Sequence, residues 1–495
     1  MYSDTGRRRP RFGTHRRVPC ITKRDAMRTR RLLLVLAAVA VSVAIADAFS
    51  CDARDAPTDR ALSSSDSAFR QLSKDGWRRE TGQLRFTHDV NDDNDISEYG
   101  YPGAMLYARA EFLGGVSPVF RLGPSDALVI TMCTPPPTRY FGFSTYVWRR
   151  QSRVVSATCA NNPLNSRTMR GGYPAFDQPT VLVSTGDLAT FDAVSTAFLA
   201  AGVPVTALNL EQLAVDRVSF GRSILDRADD LTFSFRVYDA NAREYAKQTW
   251  TSVMLLRSPR GGGRSLQPLV AITATPPSPK RGIPVNELRL EMAASFLQTS
   301  VKNKVIAAGF RVTTRASSMA PVDVDRDKCL ATGNYSPFRV GGARDVNIQS
   351  GCFGETRDCT YTMSPESIAG DKPFLALFTG ADSVKLGNAA FANLAAYHTG
   401  GALSLVSAAA VRVAAFADHR MWRREDENNL FAHAFASPGL CRVFDDDPDV
   451  SCVEVAPAPF NDLFFIGRAY LDPSTGTAPN AEELLPVTVT YFAPE

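Results

Sequence analysis

The chain has 495 residues, 44% of them hydrophobic and 21% charged, which is enough for a sizeable core and too much for one ordinary domain. Its formal net charge of +4 conceals an asymmetry: residues 1–48 carry 11 basic and 3 acidic groups, whereas residues 49–495 carry 44 and 48. The bulk of the chain is therefore slightly acidic. It has no electrostatic footprint for nucleic acid, and the whole-chain balance is no evidence for an anionic partner.

An uncharged apolar run extends from Leu32 to Ala46, directly after Arg28, Arg30 and Arg31. Ala44-Ile45-Ala46 and Ala46-Asp47-Ala48 offer small residues at the spacing a signal peptidase reads. This is the three-part layout of a secretory signal, and the run is shorter than the ~20 residues of a membrane-spanning helix. Residues 1–48 are read as a basic arm with a cleaved signal. A retained signal anchor, lengthened by Phe49, is the alternative and would tie the protein to a membrane. Met27 heads a compact signal by itself and is the expected start. Ala48-Phe49-Ser50 also resembles the junction of a bipartite plastid signal, although Asp52, Asp55 and Asp59 are unlike a transit peptide. The folded part is thus expected on the lumenal or extracellular side of a membrane, with plastid delivery as the alternative.

Residues 49–80, with Ser63-Ser64-Ser65-Asp66-Ser67, read as a polar tether. A first α+β domain is expected over 81–260. Ala127–Met132 and Tyr140–Trp148 read as an antiparallel pair joined by the loop of Pro135, Pro136 and Pro137. Strand Thr180–Val183, a helix to Ala201 and strand Val203–Leu210 read as a βαβ or split ferredoxin-like unit. Thr232–Tyr238 and Val253–Leu256 read as strands around a helical Ala240–Trp250. Gly/Pro punctuation marks 261–284 as a linker. The second α+β domain, 285–495, opens with a helix over 286–308, in which Leu290, Ala293, Leu297, Val301 and Val305 trace one face. Asn286 is its candidate N-cap and Gly309 its terminator. Residues 311–372 are turn-rich. Phe374–Phe378, Leu463–Leu471 and Val487–Phe492 read as strands, and Gly401–Ala417 fits either period. The expected fold is α+β, with mixed, largely antiparallel sheets and packed helices. Ser184–Asp187 and Thr379–Asp382 each follow an apolar strand, which hints at an internal repeat.

Cys20 lies in the segment to be removed, leaving Cys51, Cys133, Cys159, Cys329, Cys352, Cys359, Cys441 and Cys452. An even number in an exported chain predicts disulfides. Spacing favours Cys352–Cys359, Cys441–Cys452 and Cys133–Cys159, which leaves Cys51 with Cys329. Asn334 heads the glycosylation sequon Asn334-Tyr335-Ser336.

Chemical motifs are sparse. His88, His398, His419 and His433 follow the signal, and Asp418-His419 or His433 with Ser437 resemble fragments of a Ser-His-Asp system without a Gly-x-Ser-x-Gly elbow. Gly261–Gly263 between Arg260 and Arg264 lacks the strand–turn–helix frame that cradles phosphate. Asp89, Asn91, Asp93 and Asp95 match the opening ligands of a Ca²⁺ loop, but position six is Asn94 and position twelve Gly100. Asp323, Asp325 and Asp327, and Asp445–Asp447 with Asp449, are weaker acidic clusters. Calcium is the one cofactor the sequence raises. On a strand, Phe141, Phe143 and Val147 face one side and Tyr140, Tyr146 and Trp148 the other, either of which could contact a carbohydrate.

The ending Phe465-Ile-Gly-Arg-Ala-Tyr-Leu-Asp-Pro473, with Glu483-Leu-Leu-Pro486, resembles large secreted microbial proteins of unknown function. The resemblance covers a small part of the chain and implies no catalytic residues. The reading is a secreted or membrane-tethered, disulfide-stapled protein with a binding or structural role toward a protein or carbohydrate ligand. The alternative is an extracellular hydrolase whose site is assembled from dispersed residues.

Overall fold

Strand β1 (Arg78–Phe86) belongs to two sheets at once. Its first part, Arg78–Gly82, pairs with β10 (Thr251–Arg257), and Gln83–Phe86 pair with β2 (Leu106–Glu111). Gly82 marks the changeover. A Cβ there would lie 2.7 Å from the Glu111 carbonyl oxygen and from the Phe112 ring, so a side chain would prevent the crossing. In this computed structural model the described residues are 51, 58–86, 106–112, 117, 119–151, 153–157, 164–171, 175–238, 245, 251–259, 282, 285–322, 358–398, 405–410, 429–447, 450–455 and 462–495.

From β1 the upper layer continues as β10, β3 (Ala127–Cys133), β7 (Pro179–Thr185) and β8 (Leu208–Gln212). The lower layer continues as β2, β9 (Asp230–Tyr238), β4 (Tyr140–Arg150) and β5 (Arg153–Ala157), with the short β6 (Leu164–Asn165) beside β4. The two layers face each other across one core. Leu128, Ile130 and Met132 of β3 meet Phe141, Phe143, Phe233 and Phe235 of β4 and β9. The opposite face of β3 carries Ala127, Val129 and Cys133 and is covered by helices α1 (Thr58–Lys74) and α2 (Leu188–Ala200). Helix α1 turns Ser65, Ala68 and Leu72 inward, and Asp187 caps α2 by accepting the Thr190 N–H at 3.0 Å. Strands β7 and β8 are parallel and adjacent with α2 between them in sequence, a βαβ unit with no intervening strand.

The second half repeats this connectivity. Helix α3 (Val285–Ala307) leads into β11 (Phe310–Ser318), as α1 leads into β1. One layer runs β11, β21 (Thr488–Pro494), β15 (Leu375–Ala381), β18 (Leu430–Ala436) and β19 (Val450–Glu454). The other runs β12 (Ala320–Pro321), β13 (Cys359–Met363), β20 (Asp462–Tyr470), β16 (Phe391–His398) and β17 (Leu405–Ala410), with β14 (Ile368–Ala369) beside β20. Each strand of these two orders finds its counterpart in β1-β10-β3-β7-β8 and β1-β2-β9-β4-β5, whereas the short β6 and β14 flank non-equivalent strands. Strands β18 and β19 form the parallel pair that answers β7 and β8. The crossover between them is the 3₁₀ turn Cys441–Phe444 instead of a helix. Leu290, Ala293, Leu297, Val301 and Val305 are all buried on the β15–β18 face, and Gly309 ends α3 with φ +88°.

The halves pack lower layer to lower layer. Tyr238 stacks on Phe391 at 3.7 Å and Tyr140 meets Tyr470 at 4.9 Å. Tyr140 is the cross-strand partner of Tyr238, and Phe391 of Tyr470. Exchanging the halves exchanges the two contacts, so the interface has an approximate two-fold. The order through the molecule is helices, sheet, sheet, sheet, sheet, helix.

Several expectations change. The segment read as a tether contains α1 and the start of β1. Strands β3 and β4 do not pair, because the Pro135–Pro137 loop carries the chain from one layer to the other. Residues 205–207 form a 3₁₀ turn before β8, so that strand begins at Leu208. The helix at 285 starts before Asn286, which is therefore not its cap. Phe310–Ser318 is a strand where turns were expected, and Leu405–Ala410 is a strand. The turns after β7 and β15 are not equivalent, since β7 answers β18 and β15 answers β3. Apart from Gly282 and Tyr245, the linker 261–284 and the segment 240–250 lie outside the described residues.

Candidate functional site

At one end of the first half an open cleft of about 420 Å³ gathers Arg121, Arg149 and Arg227 around the single carboxylate of Asp230. Each arginine reaches it by a distinct local device. Arg121 precedes β3 in the segment where Phe120 bridges to Leu231 of β9. The pairing of β4 with β9 slips between Val147 and Arg149, which sets Arg149 opposite Asp230. Its neighbour Arg150 turns the other way and grips Asp229 through two contacts of 2.9 and 2.7 Å. Arg227 caps the 3₁₀ turn Ile224–Asp226 in the left-handed conformation, φ +56°. That turn is held by Asp226, which accepts the N–H groups of Arg222 and Ser223 at 2.8 and 2.9 Å. The same two bonds hold the Asp226 carboxyl below its ordinary pKa. Gln151, on the rim, is also left-handed at φ +47°. Two of the four non-glycine residues described with positive φ thus line one cleft, and such backbone is concentrated at functional sites.

The charges are unbalanced. Asp230 holds Arg121 at 2.6 Å, whereas exposed Arg149 and Arg227 have no ion-pair partner among the described residues. The Nε of Arg121 is buried with no hydrogen-bond acceptor among the described residues. Guanidinium groups present paired donors that match carboxylate, sulfate or phosphate oxygens. The lining offers three guanidinium groups and the Asp230 carboxylate, so the cleft can hold an oxyanion.

The residues expected to carry chemistry are not brought together. His433 is buried in β18, with Nδ1 2.7 Å from the Ser451 hydroxyl and its ring edge-on to Phe435. Ser437 lies four strand residues away, roughly 13 Å, and its hydroxyl accepts the Phe374 N–H. For His398 only its backbone place opposite Leu463 is described. His88, Asp418 and His419 lie outside the described residues, as do Asp89, Asn91, Asp93, Asp95, Asp323, Asp325, Asp327, Asp449, Asn334 and 260–264. Asp445 and Asp446 are exposed, and Asp447 pairs with Lys304 at 2.7 Å. Among the described residues no three His, Cys, Asp or Glu side chains gather as a metal site would require. Phe141, Phe143 and Val147 are core, Tyr140 is sealed between the halves, Tyr146 is buried and Trp148 is half-buried.

Of the expected disulfides, Cys441–Cys452 is present. Cys133 is bonded to Cys51 and not to Cys159, which also removes Cys51 from Cys329. The reason is spatial: Cys133 ends β3 on the face that the N-terminal segment covers. Cys359 is a buried free thiol, so it does not pair with Cys352. Burial pushes that thiol well above its ordinary pKa. Cys159, Cys329 and Cys352 lie outside the described residues. The two disulfides fit an oxidising, extracellular-type environment. Among the described residues no helix is long and apolar enough to cross a membrane.

A second charged group lies between the halves. Asp358 accepts the Tyr140 hydroxyl at 2.9 Å and faces Arg236 at 3.8 Å, all three at most 2% exposed. Arg236 also lies over the Tyr140 and Tyr470 rings. This cluster is closed to solvent and acts on packing. No signal in the sequence marked either arginine group, because Arg121, Arg149 and Arg227 are scattered over 107 positions of a chain with 55 basic residues.

No family model matches the chain, and no curated protein matches it. Among solved structures it is similar to an uncharacterised protein from Burkholderia cenocepacia, with 12% identity over 88% of this chain and 90% of that one, at a TM-score of 0.33. It is also similar to the VPA0106 protein from Vibrio parahaemolyticus, with 11% identity over 87% of this chain and 96% of that one, at a TM-score of 0.33. Likenesses this distant carry no argument about the chain's activity.

Proposed function

We propose that the chain is exported through its N-terminal apolar segment and serves as a disulfide-stapled binding protein whose ligand presents an oxyanion to Arg121, Arg149 and Arg227. The observation that carries this reading is the cleft itself, in which three guanidinium groups surround one carboxylate. Two of them are left without a carboxylate among the described residues, and a bound anion would relieve their mutual repulsion. The disulfides support export. The hydrolase reading gains no support, because His433 and Ser437 stand apart and the carboxylate in the cleft, Asp230, is held by Arg121.

Two measurements test the proposal. A C-terminally tagged chain expressed in a eukaryotic host should be protected from added protease in intact microsomes, and a cytosolic product with its N-terminus intact would refute export. Calorimetric titration of the chain from Phe49 with citrate and with pyrophosphate should show saturable binding that weakens with salt. Arg149→Ala with Arg227→Ala should weaken it about tenfold or more, the loss of two charge-assisted contacts. Equal binding by the double variant would remove the cleft from the account.

A further inference from the structure

The two halves share one topology but not one packing. The exchange of Tyr238–Phe391 for Tyr470–Tyr140 across the interface fixes the register, with Tyr238 answering Tyr470 and Tyr140 answering Phe391. One residue along the same strands, facing the interior of each half, the side chains differ in size. In the first half the cross-strand pairs are Phe141 with Val237 and Phe143 with Phe235. In the second half the equivalent pairs are Ala392 with Ala469 and Leu394 with Gly467. Two phenyl rings stacked at 4.6 Å fill the first site. At the second, a leucine and a missing side chain stand in their place.

The space is not recovered by collapse. A cavity of about 130 Å³ lies there, bounded by Ala392, Ala469, Gly467, Phe431 and Leu485, with the Thr362 hydroxyl on its wall. An apolar cavity of about 150 Å³ is large enough to stay dry and bind benzene. The lining of this one is mainly apolar but also includes Thr360, Ser383, Asn393 and Arg468, and Thr362 adds a hydroxyl beside Gly467. No described residue bonds to that hydroxyl. Gly467 is what leaves it uncovered, since a Cβ there would lie 2.5 Å from Thr362 Oγ1. Thr360, two residues away on the same face, differs because its hydroxyl donates to the Pro479 carbonyl.

We infer that the second half holds a binding site for a small apolar molecule of about benzene size that carries one hydrogen-bonding group, with the ring in the cavity and the polar group on Thr362. This site is separate from the arginine cleft, which lies in the other half and takes charge instead of apolar surface.

Phenol and toluene are the probes, because they match in size and differ in the hydroxyl. Calorimetric titration of the chain from Phe49 should show one saturable site for each. Ala469→Leu, which restores bulk where the first half has Val237, should weaken both about tenfold or more by filling the cavity. Thr362→Val keeps the shape and should weaken phenol about fivefold, the worth of one hydrogen bond, while leaving toluene within about twofold. Absence of saturable binding to the wild type would overturn the inference, with the cavity then a packing gap only. Unchanged affinity in Ala469→Leu would also overturn it. Should Ala469→Leu fail to fold by circular dichroism, Thr362→Val decides: a loss shared equally by both probes, or by neither, refutes the site.

Discussion

Glu211 shows how one residue can be satisfied and still oppose stability. Its carboxylate is fully buried inside the first sandwich and accepts the Thr145 N–H at 2.6 Å, the Thr145 hydroxyl at 2.7 Å and the Ser184 hydroxyl. Burial raises its pKa above the ordinary 4.5, and these three bonds offset only part of that. A carboxyl with a raised folded-state pKa contributes its full stability below 4.5 and loses it as pH rises through the folded value. Glu211→Gln keeps the shape, and the two hydroxyls can turn to accept from the new amide. The variant should melt about 1 °C above the wild type at pH 8, a gain of about 1 kcal/mol, and show no gain at pH 4. A lower melting temperature at pH 8 would mean that the charge is needed. The second half places Phe435 where Ser184 stands and Val453 where Glu211 stands, so the network is not demanded by the topology. At this scale the sequence was poorly legible. The buried face of α3 could be read from spacing because periodicity is local. The partners of Glu211 come from strands 66 and 27 residues away, and nothing local records that.

At the scale of elements, the disulfides staple segments that pack by few residues. Cys51–Cys133 ties the chain ahead of α1 to the end of β3 and closes a loop of 82 residues. Cys441–Cys452 closes a loop of 11 residues and holds the 3₁₀ turn to β19, where the first half has a helix with its own apolar face. Chain entropy gives the long loop about 4 to 5 kcal/mol and the short one about 3 kcal/mol. Cys51→Ser with Cys133→Ser should therefore lower the urea midpoint more than Cys441→Ser with Cys452→Ser. The reverse order would show that strain or the packing of α1 outweighs loop length. Strands were legible where they were apolar and continuous, as in β3, β7 and β15. Their pairing was not. Strands β3 and β4 look like a hairpin because they are neighbours in sequence, yet they lie in opposite layers. Only the bend at Gly82 and the sharing of β1 between sheets reveal why. The arginine cleft was illegible for a related reason, since its three side chains come from the segment before β3, the end of β4 and the 3₁₀ turn before β9.

At the scale of the whole molecule, the halves are held by aromatic stacking around one buried ion pair. Removing Asp358 would take away the carboxylate that faces Arg236 in a dry interface, and breaking a buried pair of this kind costs about 3 to 5 kcal/mol. Asp358→Ala should lower the unfolding free energy by that amount, read by urea denaturation. Asp358→Asn, which can still accept from the Tyr140 hydroxyl, should lose less. Equal losses would place the effect in the charge facing Arg236 and not in the Tyr140 bond. The two-fold relation was hinted at in sequence by the turns at Ser184 and Thr379, but those turns belong to non-equivalent strands. The halves keep one strand order with different side chains, because connectivity tolerates Leu394 where the first half has Phe143 and a single turn where it has α2.

The pairing of β1 with β10, and of β11 with β21, has a further consequence for how the chain can be cut and rejoined. Each half starts and finishes on neighbouring strands, so each is a closed circuit whose ends meet. A circuit of that kind can be reopened at another turn without changing which strands touch. Likewise, the two circuits need not be on one polypeptide to recognise each other, because the aromatic face that joins them is written entirely in β4, β9, β13, β16 and β20. The covalent link through 260–281 therefore sets the local concentration of one half near the other, while the specificity of their union resides in the interface itself.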